Sequence, residues 1–145
     1  MKSAGLPKHL LIAFVLATIL YFGAYGLMEH FRTHNGLWQV TFLSNGGANA
    51  PTLIINEPQL NIHDFHLTFP TQTAPATNAT LTFDHARDVP FDVPFGRCVF
   101  LDAMSQPGTV TFTMFGHEIQ LIPRTLTVDK NDYDWHATNS LVIRP

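Results

Sequence analysis

Residues 109–123, TVTFTMFGHEIQLIP, carry two alternating apolar runs about a single glycine. Val110, Phe112 and Met114 alternate with Thr109, Thr111 and Thr113, the period of two that sends successive side chains to opposite faces of a strand. A second alternating run, HEIQLIP, begins almost at once. Gly116 between them supplies the positive φ that a tight turn requires, so the stretch predicts a β-hairpin.

The same period extends outward in both directions. GLWQVTFLS places Trp38, Val40 and Phe42 on one face, and TLIIN, TLTFD, RTLTVD and SLVIR repeat the pattern between polar or Gly- and Pro-bearing turns. In LNIHDFHLTF the alternation puts His63, Phe65, Leu67 and Phe69 on one side and Ile62, Asp64, His66 and Thr68 on the other. PTQTAPATNA, residues 70–79, reads as an exposed loop and carries the glycosylation sequon Asn78-Ala79-Thr80; DKND reads as a polar turn. About eight to ten short strands without a helix predict an all-β fold over residues 35–145: a single β-sandwich, immunoglobulin-like or jelly-roll-like. Its expected core includes Trp38, Val40, Phe42, Leu67, Phe83, Phe100, Phe112 and Leu121.

DVPFDVPFG, residues 88–96, repeats Val-Pro-Phe with a period of four. In an extended segment Val89, Phe91, Val93 and Phe95 share one face, while Pro90 and Pro94 remove backbone donors from one and the same edge. That is the pattern of an edge strand protected against further pairing. Phe91 and Phe95 would act as an apolar lip for a partner if they were exposed.

The N-terminal 34 residues are different in kind. Lys2 and Lys8 precede a run from Leu10 to Met28 without a charge, close to the ~20 apolar residues that cross a bilayer as a helix. A signal peptide shares the basic start, but its apolar core is usually only about 7–15 residues long. Residues 1–34 are therefore expected to form a cytoplasmic stub, one transmembrane helix and a juxtamembrane turn. The flanking lysines keep the N-terminus in the cytoplasm and put the sandwich in the periplasm or outside the cell, on a single-pass protein of the cell (inner) membrane. From Glu29 onward six Lys and Arg face eleven Asp and Glu, an acidic balance that disfavours nucleic acid as a partner.

Chemistry-bearing patterns are sparse. Cys98, the single cysteine, sits among apolar neighbours as a small hydrophobe. Seven histidines follow the apolar run, which raises a zinc- or copper-handling alternative with His63, His66 and His117 as candidate ligands. His63 and His66 differ by an odd number and face apart on a regular strand, unless a bulge intervenes; His30 and His34 could share a helical face. DKNDYD lacks the glycine and distal glutamate of a calcium loop. Ser44, Ser105 and Ser140 belong to no nucleophile motif, and there is no phosphate-binding glycine loop. The sequence thus leads to the expectation of a membrane-anchored, non-catalytic interaction, accessory or assembly module, without a cofactor, whose partner is another membrane or extracytoplasmic protein.

Overall fold

A computed structural model describes residues 5–34, 37–104 and 108–145, without the side chains of residues 31–34. The chain divides into two compact units, Met1–Asn35 and Gly36–Pro145. The first is helix α1, Leu6–His34, whose 29 residues rise about 43 Å. Its segment Leu6–His30 is long and apolar enough to cross a membrane, and its side chains are exposed all round.

The second unit is the expected sandwich. One sheet holds β1 (Gln39–Ser44), β2 (Thr52–Glu57), β3 (Ile62–Thr68), β4 (Thr77–Thr82) and, last in sequence, β11 (Ser140–Val142), in the order β11-β3-β2-β1-β4. Its first four strands form a Greek key, because β4 returns past β2 to pair with β1. β11 lies parallel to β3, with Leu141 opposite Leu67. The other sheet is a meander of β5 (Phe91–Val93), β6 (Gly96–Leu101), β7 (Val110–Met114), β8 (His117–Leu121), β9 (Thr125–Val128) and β10 (Asn131–Asp134).

Alternation fills the space between the sheets. Val40 and Phe42, Leu53 and Ile55, Phe65 and Leu67 face Phe112 and Met114, Ile119 and Leu121, Leu126 and Val128, all buried. At one end Trp38 and Trp135 lie 5.5 Å apart, and their indole N–H groups donate to the carbonyls of Gly108 and Ile122. The polar handles of both rings are therefore satisfied inside the core.

The hairpin of residues 109–123 forms as expected. Met114 pairs with His117, and Phe115 and Gly116, with φ of 52° and 81°, make the two-residue turn. DVPFDVPFG supplies the edge strand β5, but only Phe91–Val93 pair, and Val89 stays outside the ladder, exposed.

Two bulges account for the main departures from alternation. Between Cys98 and Phe100 the register of β6 against β7 slips by one residue, so Cys98 faces inward opposite Phe112 while Phe100 turns to solvent, 50 % exposed. Phe100 is thus a surface residue, not the core residue that its spacing suggests. In β3 the residues His63 and Asp64 occupy the span opposite a single residue of β2. Asp64 takes a φ of 48° and its N–H donates to Asn56 Oδ1, so Ile62 turns inward and His63 outward, the reverse of strict alternation.

Three smaller differences follow from hydrogen bonding that local polarity does not reveal. The described residues of the sandwich form eleven strands rather than eight to ten. DKND is a turn of Asp129 and Lys130 followed by β10, and β4 begins at Thr77, so the sequon asparagine Asn78 stands exposed on an edge strand rather than in the loop. Glu57 extends the buried parity of Leu53 and Ile55 and is fully buried.

Candidate functional site

The meander brings three hairpin turns to one end of its sheet: Pro94-Phe95, Phe115-Gly116 and Asp129-Lys130. Phe95 and Phe115 both have positive φ, 72° and 52°, although neither is glycine. An aromatic residue in this conformation costs on the order of 1–2 kcal/mol, which Gly or Asn would avoid. The rings explain why phenylalanine stands there. They stack with centroids 5.6 Å apart, Phe95 meets Phe42 edge-on at 5.7 Å, and Phe115 lies 5.0 Å from Phe69. Phe42 and Phe69 are fully buried, whereas Phe95 and Phe115 are half-buried, so the cluster runs from the core out to the surface.

Gly96 lets the β5–β6 turn approach its neighbour. A Cβ at this position would overlap the Thr113 carbonyl oxygen and crowd Met114. Beside the cluster, His117 Nδ1 lies 2.5 Å from Asp129 Oδ2, and the Glu118 N–H donates to Asp129 Oδ1. The bond to His117, then that from Glu118, hold the Asp129 carboxyl below its ordinary range. The His117 ring also packs 6.3 Å from Phe69.

The residues singled out in the sequence are distributed over the domain. Phe91 is half-buried against the core with the Arg87 guanidinium 5.4 Å from its ring centroid. His66 is exposed on β3, and its N–H donates to the Asn139 carbonyl. His63 lies in a cleft of about 290 Å³ walled by Asn61, His63, His136 and Asn139 above Phe65 and Trp135. His63, His66 and His117 are not brought together, and no group of three or more His, Cys, Asp or Glu placed to hold a metal occurs among the described residues. Ser105 and the His34 side chain lie outside the described residues.

Cys98 is fully buried, and burial pushes its thiol up to about 11. The carboxylates of DKNDYD go separate ways: Asp129 to His117, Asp132 to the Thr127 hydroxyl, Asp134 to the His136 N–H.

Two features of the tip escape a reading of the sequence by face alone. Phe115 was readable from the Phe-Gly pair at a two-residue turn, where both positions need positive φ. Asp129 as the partner of His117 was not, since it depends on β8 and β9 being neighbours in the sheet. No protein-family model, curated protein or solved structure matches this chain significantly.

Proposed function

We propose that this chain is a single-pass membrane protein in which α1 remains as the anchor and the sandwich, on the non-cytoplasmic side, is a non-catalytic interaction module serving as an accessory subunit or assembly factor. Its partner is another membrane or extracytoplasmic protein, and the contact is made by the three-turn tip, with Phe95 and Phe115 at its centre. One observation carries this reading: two adjacent turns hold strained, half-exposed phenylalanines where unstrained residues would serve the turn itself. Aromatic residues of this kind, rigid and partly wet, supply contact area at small entropic cost. Lys2 and Lys8, which precede the apolar run of α1, and the length of that run support the orientation and the retained anchor.

Asparagine tolerates positive φ, so Phe95→Asn and Phe115→Asn remove the rings and keep the turns. The full-length chain, purified from its native membrane in mild detergent, is expected to carry a stoichiometric partner, and each variant to lose most of it while staying folded. Retention of the same partner by both variants would remove the tip from the account.

A second reading, a zinc- or copper-handling protein, draws on the cleft that holds both His63 and His136. Zinc or copper retained at about one per chain after gentle purification, and lost in His63→Ala, would favour it.

A further inference from the structure

The chain enters the sandwich at Trp38, whose carbonyl accepts from the Phe83 N–H and whose indole donates to the Gly108 carbonyl. These bonds place the end of β4 and the β6–β7 connection beside the point of entry. β6 runs toward that end, with Leu101 opposite Val110, and β5 starts from it. Five large apolar side chains of the sandwich are exposed among the described residues; Val89, Phe100 and Met104 lie toward this end, and Val99 stands at the bulge midway along β6. Met104 is 79 % exposed; the fifth, Val142, lies opposite Thr68 near the far end.

The bulge in β6 turns Phe100 outward at the place where the chain arrives from an apolar helix. The apolar run of α1 stops at Met28, six residues before the helix ends at His34, and four residues separate His34 from β1. Those six residues rise about 9 Å and the four reach at most about 14 Å, so the entry end stays within about 23 Å of the hydrocarbon boundary. So short a tether holds this end at a high effective concentration at the surface, so that a weak apolar contact becomes well populated. The sandwich is net acidic, which opposes contact with anionic lipid, so the contact is apolar in origin.

We infer that the entry end of the sandwich rests on the bilayer surface, with Phe100 and Met104 in the headgroup layer. The inference rests on the reading of α1 as a retained anchor, and it fixes which end faces the membrane, leaving the three-turn tip directed away.

The test uses the full-length chain in phosphatidylcholine vesicles, with nitroxide labels at Met104→Cys or, in a second variant, at Thr73→Cys in the exposed loop of the far end. The unsubstituted chain gives the background from the buried Cys98. The label at position 104 is expected to relax several-fold more with oxygen than with a water-soluble nickel chelate, and the label at position 73 to show the reverse. Equal nickel access at both positions would overturn the inference while leaving the anchor in place. Shielding of position 104 from both reagents would overturn it in favour of a protein cover. Release of the chain from the vesicles by alkaline carbonate would remove the anchor reading, and the inference with it.

Discussion

Phe95 and Phe115 stack at 5.6 Å with their planes 29° apart, each at the turn of a different hairpin and each on a backbone of positive φ. Neither turn explains its phenylalanine alone; the pair does. Phe95→Asn and Phe115→Asn are each expected to cost about 1 kcal/mol net, because relief of the backbone offsets part of the lost packing. The double variant should cost less than the sum by roughly 0.5–1.5 kcal/mol, the usual coupling of an aromatic pair, as urea unfolding will measure. Strict additivity would mean that the rings do not support each other.

Phe100, opposite Thr111, and Phe112, opposite Cys98, lie on the two sides of the β6 bulge with opposite surroundings, one half exposed and one fully buried. Phe100→Ser should leave thermal stability within about 0.5 kcal/mol of the parent. Phe112→Ala should cost about 3–5 kcal/mol, a large share of the stability of a domain this size. Equal losses would place Phe100 in the core and refute the bulge.

Glu57 is fully buried, its Oε1 accepts from the Gln59 N–H, and its Oε2 has no hydrogen-bond partner among the described residues. Burial raises its carboxyl above the ordinary range, an effect only partly opposed by the bond from Gln59. The folded chain then holds a proton that the unfolded chain releases, so stability should fall as pH rises from the ordinary carboxyl value through the raised one. Glu57→Gln keeps the capping oxygen and removes the charge. It is expected to stabilise the domain by about 1–2 kcal/mol at neutral pH and by nothing near pH 4, in melts across that range. A variant less stable than the parent at neutral pH would contradict this.

Gly96→Ala adds one methyl group where the Thr113 carbonyl stands. The obstacle is backbone and cannot rotate away, so the β5–β6 hairpin must separate from β7. A loss of at least 2–3 kcal/mol, or failure to fold, is expected on denaturant titration, far more than the usual effect of one methyl group at a surface turn.

Cys98 combines full burial with a thiol raised to about 11, so the thiolate is scarce at neutral pH. Alkylation by a maleimide should be at least a hundredfold slower in the folded chain than in denaturant. Rapid reaction of the folded chain would mean that β6 opens readily.

Much of this architecture was legible because apolar parity is a direct statement about faces. It located the 109–123 hairpin, the edge strand at Phe91 and Val93, and core residues from Trp38 to Leu121. Parity fails where a backbone slips by one residue, and the signals for a slip are weak: Asp64 tolerates a positive φ, and nothing in CVFL marks the bulge that exposes Phe100. The tip was half legible. The proline repeat points to Phe95, but its neighbours Phe115 and Asp129 come from hairpins whose adjacency only the sheet order decides. Glu57 was readable as the next inward position after Leu53 and Ile55, against the ordinary expectation that a carboxylate stays in water.

The most direct measurement is native mass spectrometry of the full-length chain released from its native membrane in mild detergent. A complex of this chain with one further protein in fixed ratio, carrying no metal, is expected. A lone chain heavier by one zinc or copper ion would contradict it and turn attention from the Phe95–Phe115 tip to His63 and His136.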